Sequence, residues 1–98
     1  MPTAANHQRR TVHYSGRVQG VGFRYTARSI AERFQVSGYV QNLDDGRVRL
    51  VIEGVPEELD RVLAELAETM GHYIRDAKTA VSEPTGEFDG FQVRASTN

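Results

Sequence analysis

No cysteine occurs among the 98 residues, which removes disulfides, thiolate metal sites, CxxC redox chemistry and a cysteine nucleophile together. That absence is compatible with a reducing compartment. No apolar run approaches the roughly 18 residues that a membrane-spanning helix requires. Residues 1–10 also lack the apolar centre of a secretory leader. The chain therefore reads as cytoplasmic, with no membrane partner. An excess of one charge is missing too: 12 Lys+Arg face 13 Asp+Glu, a net charge of −1. So even a balance gives no electrostatic reason to expect nucleic acid. Lysine is nearly absent, Lys78 standing beside eleven arginines, so an arginine here informs by its position, not its presence. His7, His13 and His72 lie scattered, without metal-ligand spacing, and imply neither a metal nor a cofactor.

What is present is an ordinary globular composition, 39% apolar and 26% charged, at a length suited to one domain with one core. Residues 1–8 are small or polar without periodicity and read as a disordered tail, with the folded domain at 9–98. From Arg10 to Val18, apolar residues alternate, with Val12, Tyr14, Gly16 and Val18 on one face, the pattern of a half-buried strand. Phe23, Ala27, Ile30, Ala31 and Phe34 then form one stripe of a helix. A second strand is expected over Val36–Asn42, and Asp44-Asp45-Gly46 is a hairpin signal. In the third strand Val48, Leu50 and Ile52 face inward while Arg47, Arg49 and Glu53 face outward. Pro56, Glu57 and Glu58 mark a helix start, with proline at the first turn and carboxylates where the helix dipole favours them. Its stripe is Leu59, Val62, Leu63, Leu66 and Met70, ended by Gly71. Residues 74–82 predict a fourth strand and Phe91–Ala95 a short fifth.

The order β-α-β-β-α-β is that of a ferredoxin-like α/β sandwich, an α+β fold with an antiparallel sheet, two helices on one face and a short extra C-terminal strand. The same fold serves RNA-recognition motifs, but those carry stacking aromatics on central strands, and the third strand here has none. Fold alone leaves the chemistry open.

The informative stretch is Gly16-Arg17-Val18-Gln19-Gly20-Val21-Gly22-Phe23-Arg24. It joins a strand to a helix N-terminus, where free N–H groups and the positive dipole end favour an anion. Glycines at 20 and 22 allow the backbone to curl and expose its amides. Arg24 adds a forked donor matched to phosphate oxygens. A glycine turn followed by a solvated arginine accounts equally well for the glycine pair. Asn42, at a strand end before a turn, is compatible with holding a water beside a bound anion, although position alone favours ordinary turn hydrogen bonding. Asp44 and Asp45 read as turn residues in preference to an acid–base pair.

The Gly16–Arg24 segment, followed by Gly38-Tyr39-Val40-Gln41-Asn42-Leu43-Asp44-Asp45-Gly46-Arg47-Val48, resembles the two signatures of the acylphosphatase family. The resemblance runs over roughly residues 10–96. It implies a metal-free, cofactor-free hydrolase of acyl phosphates. Phosphate would be held by the amides of Gln19, Gly20, Val21, Gly22 and Phe23 and by Arg24, and Asn42 would orient the attacking water. It further implies a small-molecule acyl phosphate as partner, inorganic phosphate as product and competitive inhibitor, and a monomer. Three segments depart from the family pattern: Gln41 where arginine is common, Gly71–Ala77 where a Gly-Pro-Pro segment is common, and Phe34-Gln35-Val36 at the end of the first helix.

Overall fold

The computed structural model describes residues 6–97. Its elements are β1 (Gln8–Gly16), α1 (Phe23–Ala31), β2 (Val36–Asn42), β3 (Val48–Gly54), α2 (Pro56–Met70), a 3-10 turn (Gly71–Tyr73), β4 (Ile74–Ser82) and β5 (Phe91–Arg94). Of the proposed tail, residues 1–5 lie outside the described residues, whereas Gln8 already pairs with Gly54. β1 ends at Gly16 and not at Val18, because its ladder with β4 shifts between Ser15 and Gly16. There Arg17 leaves the strand, its N–H donating to the Tyr73 carbonyl at 2.9 Å. Val18 is nonetheless fully buried, from a loop in place of a strand.

The sheet has the order β4-β1-β3-β2-β5. The four long strands pair antiparallel, as expected for this sandwich. β5 joins the edge of β2 in parallel, Val40 opposite Val93, which makes the five-stranded sheet mixed. β1 and β2 run in the same direction with β3 between them, so the loop leaving β1 and the end of β2 meet at one end of the sheet.

Both helices pack on one face. Their buried side chains, Phe23, Ala27 and Ile30 from α1 and Leu59, Val62, Leu66 and Met70 from α2, join Val12, Tyr14, Val40, Leu50 and Ile52 in one core. Each fully buried leucine or isoleucine contributes about 2 kcal/mol by leaving water. Among the described residues, no helix is long and apolar enough to cross a membrane.

On the opposite face, Glu53 is closed off from solvent. Glu53 does point away from the helices, but it is buried under the segment after β4. Its carboxylate accepts from the N–H groups of Thr85 (2.9 Å) and Gly86 (3.0 Å), the Thr85 hydroxyl (3.1 Å) and Arg9 Nε (2.8 Å). Burial alone would raise this carboxyl; these donors outweigh it and hold it below the usual glutamate value. Phe88, from the same segment, packs edge-on against Tyr39 with 5.7 Å between centroids.

Candidate active site

The link between β1 and α1 is shaped by two glycines in the left-handed region, Gly20 at φ 78° and Gly22 at φ 80°. A side chain is strained at both positions although no atom would obstruct it. Gly22 is the N-cap of α1 and supplies no capping side chain. Among the described residues, no main-chain or side-chain acceptor takes a hydrogen bond from the N–H groups of residues 19–24. Helix N-termini normally satisfy such groups with a cap. Here the chain offers none, and the donors gather at the positive end of α1.

The loop is nonetheless fixed. Phe23 is buried, its ring 5.0 Å from that of Tyr14, and burial pushes the Tyr14 phenol well above its ordinary value. Gln19 turns its carboxamide across the sheet end, where Nε2 donates to the Leu43 carbonyl at 2.7 Å and the Arg47 carbonyl at 2.9 Å. That side chain ties the loop to the β2–β3 hairpin, spanning the gap that β3 opens between β1 and β2.

A pocket of about 100 Å³ opens at this end, lined by Val18, Gly20, Gly22, Phe23, Arg24, Tyr25 and Asn42. Val18, Phe23 and Asn42 are buried and form its floor; Gly20, Gly22 and Tyr25 are exposed at its rim. Of the site residues named from the sequence, Gly20, Gly22, Phe23, Arg24 and Asn42 line this space. Gln19 and Val21 do not: Gln19 is occupied by the hairpin, and Val21 packs partly buried against the core. Val18 and Tyr25 line it without having been singled out. The strand–helix boundary could have pointed to Tyr25, since a residue two positions past the N-terminal Phe23 stands on the opposite helix face.

Arg24 and Asn42 are positioned from the same segment. Arg24 Nη1 donates to the Arg94 carbonyl at 3.0 Å, which anchors one arm of the guanidinium and leaves the remainder of the fork for the pocket. The Asn42 carbonyl accepts from Thr97 N–H at 3.0 Å, and Asp44 N–H donates to the Thr97 hydroxyl at 2.9 Å. Gln41, at a position where arginine is common in the family pattern, donates to the Ala95 carbonyl and accepts from Arg49. Residues 94–97 are thus stapled along β2. Asn42 is 9% exposed, and its buried Oδ1 has no protein donor among the described residues. A buried unpaired carbonyl oxygen costs about 1–3 kcal/mol, so its persistence in the pocket that Arg24 also lines marks a place suited to a donor from outside the chain.

The other candidates fall into structural roles. Asp45 accepts from Arg47 N–H at 3.0 Å and Arg47 Nε at 2.8 Å, which closes the hairpin. The Arg47 backbone N–H, more than the guanidinium, holds Asp45 below its usual value. His13 lies on the outer sheet face between Lys78 and Arg49; burial first, then Arg47 and Arg49, lower its pKa against the pull of Asp45. Among the described residues, no three His, Cys, Asp or Glu side chains are grouped to hold a metal.

Comparison with known proteins identifies the family. The acylphosphatase family model matches residues 10–93. The acylphosphatase of Rubrobacter xylanophilus is 42% identical over 95 residues, covering 96% of this chain and 86% of its own length. That of Pseudomonas aeruginosa is 44% identical over 86 residues, covering 84% of this chain and 90% of its own. The crystal structure of the Bacillus subtilis acylphosphatase superposes with a TM-score of 0.80 at 27% identity, over 89% of this chain and 98% of that one.

Proposed function

The chain belongs to the acylphosphatase family and hydrolyses acyl phosphates to a carboxylate and inorganic phosphate, and from that premise we propose how its own residues perform the reaction. The phosphoryl group occupies the pocket beside the 19–24 loop, held by the unpaired amides and the free arm of Arg24. Asn42 Oδ1 accepts a proton of the attacking water and aims its oxygen at phosphorus.

Acyl phosphates are mixed anhydrides, and their carboxylate leaves without strong protonation. Phosphoryl transfer rewards positioning and charge stabilisation more than covalent chemistry. In the step, the water oxygen forms a bond to phosphorus, the bond from phosphorus to the acyl oxygen breaks, and the carboxylate departs with the electron pair. The water's proton passes to a phosphoryl oxygen, since a carboxamide is no base near neutral pH. Fixed N–H donors and the guanidinium stabilise the charge on the equatorial oxygens, and each such donor is worth about 3–4 kcal/mol. Neither metal nor cofactor has a part in this scheme.

The observation that carries this reading is the buried Asn42 Oδ1, without a protein donor, in the same pocket as Arg24. Phosphate release from benzoyl phosphate tests it. Arg24→Ala is expected to lower turnover about 1,000-fold and to weaken inhibition by inorganic phosphate. Asn42→Ala is expected to lower kcat comparably while phosphate still inhibits, because only the water's holder is lost. An Asn42→Ala protein with near-normal kcat refutes the assignment. Product phosphate, binding the same cradle, acts as a competitive inhibitor. The chain works as a cytoplasmic monomer, a reading supported by its composition and by a site built within one copy.

A further inference from the structure

The phosphate pocket is small, about 100 Å³, with a buried floor and an exposed rim. In-line displacement puts the attacking and leaving oxygens on opposite sides of phosphorus. With the water on buried Asn42 at the floor, the acyl group must leave across the rim.

Two of the exposed rim residues are glycines, so the only rim side chain that an acyl group can meet is Tyr25. Tyr25 is 61% exposed, one of three large hydrophobic side chains so placed among the described residues, and it alone borders the pocket. An exposed tyrosine ring beside a polar site has a flat apolar surface to offer. One helical turn beyond, the Arg28 guanidinium lies 5.5 Å from the Tyr25 ring centroid. Among the described residues its one ionic neighbour is Glu32, 4.0 Å away. Arg24 and Arg28 are four residues apart on α1, a rise of about 6 Å. The cations therefore form a short ladder leading from the pocket over the ring.

We propose that Tyr25 is the specificity-determining platform for the acyl group and that Arg28 receives a second, distal negative charge, so that the site favours acyl groups with an apolar body or a distal carboxylate. This rests on the acyl-phosphate reading of the pocket. It leaves the reaction itself untouched, because neither residue contacts the reacting phosphorus.

The experiment compares kcat/KM on acetyl, benzoyl and succinyl phosphate for the wild type, Tyr25→Ala, Tyr25→Leu and Arg28→Gln, with the inhibition constant of inorganic phosphate measured alongside. Tyr25→Ala should lower kcat/KM for benzoyl phosphate about tenfold and for acetyl phosphate less than twofold. Tyr25→Leu should restore part of the loss. Arg28→Gln should lower kcat/KM for succinyl phosphate about fivefold and leave the other two unchanged. Phosphate inhibition should stay at the wild-type level in all three variants. Equal slowing of all three substrates, or no slowing, overturns the platform. A wild type inert toward all three overturns instead the acyl-phosphate reading beneath it.

Discussion

Two places in this molecule bring backbone N–H groups together with an arginine, and the chain treats them oppositely. Around Glu53, two successive backbone N–H groups, a hydroxyl and an arginine close on a carboxylate supplied by the protein itself. Between β1 and α1, the N–H groups of residues 19–24 meet no acceptor among the described residues, and Arg24 gives only one arm to the chain, at the Arg94 carbonyl. Each uses glycine at positive φ to turn its amides, Gly86 at 71° and Gly20 and Gly22 near 80°. The difference teaches what separates a clasp from a binding site. A donor set that meets its own carboxylate fastens two segments, here β3 and the strap before β5. Donors left unmet are what the proposed phosphate site relies on, while Gln19 and the 94–97 staple fasten its surroundings from outside.

The contrast breaks most visibly at Glu53. Glu53→Ala is expected to lower unfolding free energy by about 3 kcal/mol, since it strands a partly buried arginine and two amides. Chemical denaturation would read this loss, while kcat for acetyl phosphate should hold. Added formate should recover part of the stability in this variant and none in the wild type, because the exposed donors become a second anion site. Absence of rescue would mean that the Glu53 donors collapse without their carboxylate.

A smaller effect sharpens the same contrast through pH. The folded Glu53 carboxyl is held below its ordinary value of 4.5, so the folded state favours the ionised form. Its stabilisation is fully present above that value and is lost as pH falls through the lower folded one. The stability gap between wild type and Glu53→Gln should therefore be widest at neutral pH and narrow steadily below 4.5, as followed by denaturation across an acid series. A gap independent of pH would show that the clasp does not depend on charge.

The smallest effect falls on the outside fastening. Gln19→Leu removes two hydrogen bonds on an exposed side chain, which should cost about 1 kcal/mol of stability and about tenfold in kcat as the loop loosens. A change in stability with unaltered kcat would make Gln19 a simple surface contact.

Much of the scaffold was legible locally. The run Val36–Asn42, the proline-led helix from Pro56 to Met70 and the strand 74–82 lie where periodicity and capping residues put them, because those signals act over one or two turns of chain. Glu53 illustrates what was not. Its outward orientation follows from alternation, but its burial depends on Thr85 and Gly86, more than thirty residues later, and no periodicity records such a return. The tether from the Gln19 side chain to the hairpin and the 94–97 staple are illegible for the same reason, being contacts across 24 and 70 residues. Tyr25 was hidden differently, standing beside a residue whose charge drew attention first. The pairing of β5 alongside β2 likewise came from the tertiary arrangement and not from its four residues.

One consequence of the strand order concerns time. β3 must lie between β1 and β2 before Gln19 can reach the hairpin, and β1 itself pairs with residues as distant as Ser82. Such remote pairings close slowly, over milliseconds to seconds, whereas isolated helical turns form within about a microsecond. During refolding, hydrolysis should accordingly return later than helical circular dichroism, which makes the catalytic rate a clock for completion of the sheet.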